Sequence, residues 1–83
     1  MSGFTDVKQR KFIHLLRWLG NNKGVEIRQG GRHNIKVTCI RTGESYPIPG
    51  SHREINKHIV KDFMEWLINS EICTEVEFRE RLK

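Results

Sequence analysis

The sequence predicts an α+β domain of order α-β-β-β-α, a three-stranded antiparallel sheet with helices on one face, followed by a short C-terminal helix. Three observations carry this reading. Phe12, Leu15, Leu16 and Leu19, and later Ile59, Phe63, Trp66 and Leu67, recur at the spacing of amphipathic helices. Between them lie three short stretches of alternating or β-prone residues, separated by glycine-containing turns. The chain has 83 residues, a length that buries only about 60 to 65% of its unfolded surface and so supports one domain with a thin core.

The first helix is read over "DVKQRKFIHLLRWL", residues 6–19, with Asp6 as N-cap, Gln9 as its partner and Gly20 with Asn21 as the stop. Its polar side carries Lys8, Arg10, Lys11 and Arg17. In "VEIRQ", Val25 and Ile27 alternate with Glu26 and Arg28 as in a half-buried strand. Gly30 and Gly31 then supply a hairpin turn. In "HNIKVTCI", Ile35, Val37 and Cys39 share one face, and Asn34, Lys36 and Thr38 the other. "YPIP" reads as a third strand at an edge of the sheet, because Pro47 cannot donate to a ladder. The second helix runs over "NKHIVKDFMEWLIN", residues 56–69, with Asn56 as cap and Ile55 positioned as a hydrophobic staple. Thr74 followed by Glu77 marks the start of the short last helix. No repeat or change of composition divides the chain.

Net charge is +5, from 15 Lys and Arg against 10 Asp and Glu, with a pI near 9.6. The balance is uneven: residues 1–41 hold nine basic and two acidic side chains, and residues 42–83 six basic and eight acidic. The positive field therefore gathers around the first helix and the first two strands, which suits a polyanionic partner, although such a run also serves as a plain solvated face. Cys39 and Cys73 are read as reduced thiols of an intracellular protein. No apolar run approaches the roughly 20 residues of a membrane span, and no targeting segment opens the chain, so a soluble, cytoplasmic location without membrane contact is expected.

His33 is the leading candidate for chemistry. It follows the glycine pair and sits among Arg28, Arg32, Lys36 and Arg41. An imidazole titrates near neutral pH, so it can take a proton from a ribose 2′-hydroxyl or give one to a departing 5′-oxygen, while neighbouring cations hold the phosphate. The same histidine could instead be a turn residue bonded locally, and strand parity puts it on the side of Ile35 and Val37 unless the turn twists it outward. His52, in "PIPGSHREI", either steadies the start of the second helix or contacts RNA. His14 and His58 read as bystanders, and Trp18 and Trp66 as core residues. The four histidines lack zinc-site spacing and the two cysteines are 34 positions apart, so no metal is expected. Serine or cysteine nucleophile motifs and a phosphate-binding loop are absent from the sequence.

In layout, the leading helix, "VEIRQGGRHNIKV" and "YPIPGSHREINKHIVKDFMEWL" resemble the HicA-type mRNA interferase toxins of bacterial type II toxin–antitoxin pairs. That family has a fold similar to the double-stranded RNA-binding domain. Its glycine turn followed by a histidine is matched by Gly30, Gly31 and His33, and its proline and histidine before a helix by Pro49, His52, Glu54 and Ile55, with one extra residue in "PGSH". The resemblance spans about residues 6–70 of a single domain that occupies residues 1–83, leaving 71–83 as an extension.

The resemblance implies a toxin that cleaves mRNA without metal or other cofactor and is neutralised by a HicB-like antitoxin. His33 would be the catalytic acid or base, Arg32 and Lys36 the phosphate contacts, Arg28 and Arg41 cations acting at longer range, and His52 a secondary site. The alternatives are a non-catalytic RNA-binding module of the same fold and a protein-interaction subunit without RNA affinity.

Overall fold

The computed structural model describes residues 5–29, 34–49 and 53–82. Its elements are β1 (Val7–Lys8), α1 (Gln9–Asn22), β2 (Val25–Gln29), β3 (Asn34–Cys39), β4 (Ser45–Pro49), β5 (Glu54–Ile55), α2 (Lys57–Asn69) and α3 (Glu75–Arg81). The main sheet is the antiparallel meander β2-β3-β4, and β1 pairs separately with β5. The expected α+β architecture is present, with α1 and α2 against one face of the sheet and α3 packed on those two helices. Gly30 and Gly31 fall outside the described residues.

Alternation sets the sheet's two faces. In register, Val25 lies opposite Cys39, Ile27 opposite Val37, and Val37 opposite Tyr46, so these residues share the covered face. Glu26, Arg28, Asn34, Lys36, Thr38 and Pro47 occupy the other, which is open to solvent or only half covered. Gly24 and Gly43, with φ of +67° and +80°, provide the left-handed backbone that turns the chain into and between strands.

α1 begins later than expected. Val7 and Lys8 pair with Ile55 and Glu54, and that extended backbone moves the first helical residue to Gln9. The N-cap position is Lys8, which makes no side-chain cap bond. Asp6 instead reaches across the chain: its Oδ1 accepts the Lys57 N–H at 2.9 Å, steadying the first turn of α2. Neither does the helix stop at Gly20; it runs to Asn22, and Lys23 N–H closes the last turn on the Leu19 carbonyl.

α2 starts as expected, with Asn56 Oδ1 accepting the His58 N–H at 2.7 Å and Ile55 and Val60 both buried in staple positions. It ends in a Schellman turn, Ile72 N–H to the Leu67 carbonyl and Glu71 N–H to the Ile68 carbonyl. Glu71 takes the left-handed position, φ 59°, usually given to glycine. α3 has a complete capping box between Thr74 and Glu77.

The core is one cluster gathering Phe12, Leu15, Leu16 and Leu19 from α1, Val25, Val37, Cys39 and Ile48 from the sheet, and Val60, Phe63, Met64 and Leu67 from α2. Ile72 and Cys73, from the segment before α3, and Phe78 of α3 itself belong to the same cluster, so the C-terminal helix is anchored in the core through Phe78. Phe63 is its hub, with ring centroids 5.5 Å from Phe12, 5.3 Å from Tyr46, 6.0 Å from Trp66 and 6.2 Å from Phe78.

α3 is also tied down at its surface. Lys23 Nζ donates to Glu77 Oε2 at 2.9 Å, and the Arg81 guanidinium lies 4.7 Å from the Trp18 ring. The Lys23 bond, helped by the Thr74 backbone, holds the Glu77 carboxyl below its ordinary value of 4.5. A carboxylate depressed in the folded state stabilises at pH above its unfolded value, and that contribution disappears as pH falls through the folded one. Glu77→Gln is therefore expected to lower stability near neutral pH, with the gap to the parent closing as pH drops below 4.5. Urea midpoints measured across that range check it; a gap independent of pH contradicts the ion pair as its source.

Candidate nucleic-acid interface

The sequence's site residues fall on the hairpin β2–β3 and its flanks. Arg28 and Lys36 are direct cross-strand partners, and both are exposed on the open face. Like charges placed opposite each other repel. Arg28 relieves this by turning toward Glu26, with Nη2 to Oε2 at 3.1 Å, which leaves the Lys36 ammonium to solvent. Two cations thus stand together near the end of the hairpin from which residues 30–33 connect the strands. Arg32 and His33, in that connection, and His52, between β4 and β5, lie outside the described residues.

Arg41 sits elsewhere. It lies in the turn that follows β3, at the opposite end of that strand from Asn34. Its Nη2 donates to the Ser70 carbonyl at 2.6 Å and stands 3.7 Å from Glu71 Oε1. The guanidinium thereby clamps the carbonyl end of α2 beside the left-handed Glu71. The structure brings Arg28 and Lys36 together and leaves Arg41 in a structural tie.

Arg10, His14 and Arg17 form a further basic group. They succeed one another at i, i+4 and i+7 along α1, all exposed, and line a shallow depression beside Ile13. Arg17 also lines a second groove together with Arg28, so the positive surface runs from the helix to the edge of the sheet. The polar side of α1 is visible in the sequence, but its union with Arg28 depends on how α1 lies against β2.

The remaining chemistry-bearing groups are spent on the core. Cys73 is buried, and burial, with Glu77 adding and Lys23 opposing, pushes its thiol up to about 11; at neutral pH it is protonated and a poor nucleophile. A hydrogen bond from the Thr42 side chain draws the Cys39 thiol down, but that side chain is 2% exposed inside the cluster. Burial, and more weakly Asp62, raises the Tyr46 hydroxyl. Among the described residues no three His, Cys, Asp or Glu side chains gather as a metal site, and no helix is long and apolar enough to cross a membrane.

No protein-family model, curated protein or solved structure matches this chain.

Trp18 and Trp66 are half-buried against the core cluster. Trp66 stacks on Phe63 at an interplanar angle of 17°, and Trp18 lies under Arg81 and Lys23. Both pack internally, as the helical spacing predicts.

Proposed function

We propose that the chain is an endoribonuclease that cuts single-stranded RNA such as mRNA without a metal ion, with His33 as its proton-transfer group. The observation that supports this best is the in-register pair Arg28 and Lys36, exposed on the open face near the hairpin end that leads to Arg32 and His33. A phosphodiester seated against these cations has its charge balanced, and more so as phosphorus becomes five-coordinate. His33 takes the proton of the 2′-hydroxyl as its oxygen attacks phosphorus. The bond to the 5′-oxygen breaks, and that oxygen leaves with a proton from solvent or from a second acid. The products are a 2′,3′-cyclic phosphate and a 5′-hydroxyl. Together with the glycine–histidine hairpin, this reading agrees with the resemblance to HicA-type toxins, and with it a HicB-like antitoxin and a cytoplasmic site of action.

Purified protein incubated with labelled RNA in EDTA is the test. Cleavage to cyclic-phosphate ends is expected; RNA that is bound but uncut assigns the chain to the binding modules, and RNA neither bound nor cut to the protein-interaction subunits. Arg28→Ala and Lys36→Ala are each expected to weaken RNA binding and to lower the slope of log affinity against log salt by about 0.7 to 1. Arg41→Ala, whose cation is engaged at Ser70, is expected to leave that slope unchanged while lowering thermal stability. Fluorescence anisotropy titrations at several salt concentrations, alongside melting curves, separate the two effects.

A further inference from the structure

The two edges of the main sheet are chemically unlike. Ile40 N–H donates to the Gly24 carbonyl, and with Val25 opposite Cys39 this sets the phase of the ladder. Glu26 and Arg28 turn their backbone groups toward β3, while Val25, Ile27 and Gln29 turn theirs outward. On the other side, Cys39 N–H donates to the Glu44 carbonyl, so Tyr46 and Ile48 face β3 and Ser45, Pro47 and Pro49 face out. Both prolines therefore put their missing N–H on the free edge of β4, which blunts it against pairing. The edge of β2 has no proline, and no hydrogen bond among the described residues takes up the N–H groups of Val25, Ile27 and Gln29.

Beside this unblocked edge runs a groove of about 820 Å³ between α1 and β2, within the roughly 300–1,000 Å³ typical of ligand-holding clefts. Its apolar lining includes Ile13, Ile27 and Ile35, all only half-buried, and its charged lining is Arg17, Arg28 and Glu26, the last paired with Arg28 so that the net charge is positive through Arg17. Beyond Arg17 the stripe continues to His14 and Arg10. Sheet edge, apolar floor and positive rim coincide.

We propose that the β2 edge is a docking site for an extended, acidic segment of a partner protein, which adds as a fourth strand to the sheet. Its main chain pairs with Val25, Ile27 and Gln29, alternate apolar side chains enter the groove, and carboxylates meet Arg17 and Arg28. A second copy of this chain fits poorly. Paired β2 strands stand about 4.8 Å apart, whereas helices need 8–10 Å, and α1 lies close over β2, a Cβ at Gly20 falling 3.4 Å from Ile27. Two copies would also set the Arg10–His14–Arg17 stripes against each other. Nucleic acid would use the cations but leave the backbone edge and the apolar floor without partners. The site shares Arg28 with the proposed RNA interface, but it stands on the backbone edge and apolar floor, which the nuclease reading does not use.

The test uses the full chain, isotope-labelled, with an acetylated and amidated peptide of about seven residues alternating valine with glutamate, long enough to span β2. Amide exchange at Val25, Ile27 and Gln29 is expected to slow when the peptide is added, while Glu26 and Arg28, already paired with β3, change little. Arg17→Glu combined with Arg28→Glu is expected to weaken binding at least about tenfold and to leave the fold intact, since both are exposed. Ile27→Pro removes an outward donor without touching the β3 ladder and is expected to abolish binding; should it unfold, the charge variant decides. The proposal is overturned if a valine–lysine peptide binds equally well, if neither peptide protects these amides, if they are protected by self-association alone, or if a single-stranded RNA oligonucleotide protects them in the peptide's place.

Discussion

Replacing Phe63 by alanine is expected to cost about 3–5 kcal/mol of folding stability, a large part of the 5–15 kcal/mol a domain typically has. The ring is fully buried and is the point at which α1, β4, α2 and α3 meet, through Phe12, Tyr46, Trp66 and Phe78. Its loss forfeits transfer free energy and leaves a cavity bounded by four elements, whose aromatic neighbours cannot all move inward at once. At roughly 4–8 °C per kcal/mol for a domain of this size, the melting temperature falls by more than about 12 °C. Phe63→Leu, which keeps most of the volume, is expected to cost less than half as much. Val76→Ala, at a site 71% exposed, is expected to change stability by less than about 0.5 kcal/mol. Urea unfolding of the three variants checks the order. A loss below about 1 kcal/mol for Phe63→Ala would mean that the aromatic cluster does not hold the helices to the sheet.

Elements governed by local pattern were legible in the sequence. β2 spans the alternating "VEIRQ", the Asn56 cap forms, and Thr74 and Glu77 close their capping box, because each depends on residues within a few positions of one another. Pro47 marks an edge strand in the sequence for the physical reason that applies in the structure, its missing N–H facing away from β3. The start of α1 was not legible in the same way. Asp6 bonds Lys57, 51 positions away, and the β1–β5 pair that delays the helix joins two-residue segments too short to show a period. Arg41 illustrates the same limit at the candidate site: its partner, the Ser70 carbonyl, is 29 positions distant, so its charge alone groups it in the sequence with the cations acting at longer range. Arg28 and Lys36 could be assigned to one face by parity, whereas the groove shared by Arg17 and Arg28 arises only from the packing of α1 along β2.

His33→Ala is expected to lower RNA cleavage by about 10²–10⁴-fold, the range over which a positioned acid or base accelerates a reaction. The cations supply electrostatic stabilisation without it, so RNA affinity is expected to change little. The substitution leaves every residue of the described core unaltered, and the variant is expected to melt within a few degrees of the parent. In bacterial cells the parent is expected to arrest growth and the variant to permit it. The most direct measurement is the rate at which parent and His33→Ala, both shown to be folded by circular dichroism, cut the same labelled RNA in EDTA. Cleavage by the parent with at least a hundredfold loss in the variant is the result that a His33-centred nuclease requires; equal rates, or intact RNA with both proteins, would contradict it.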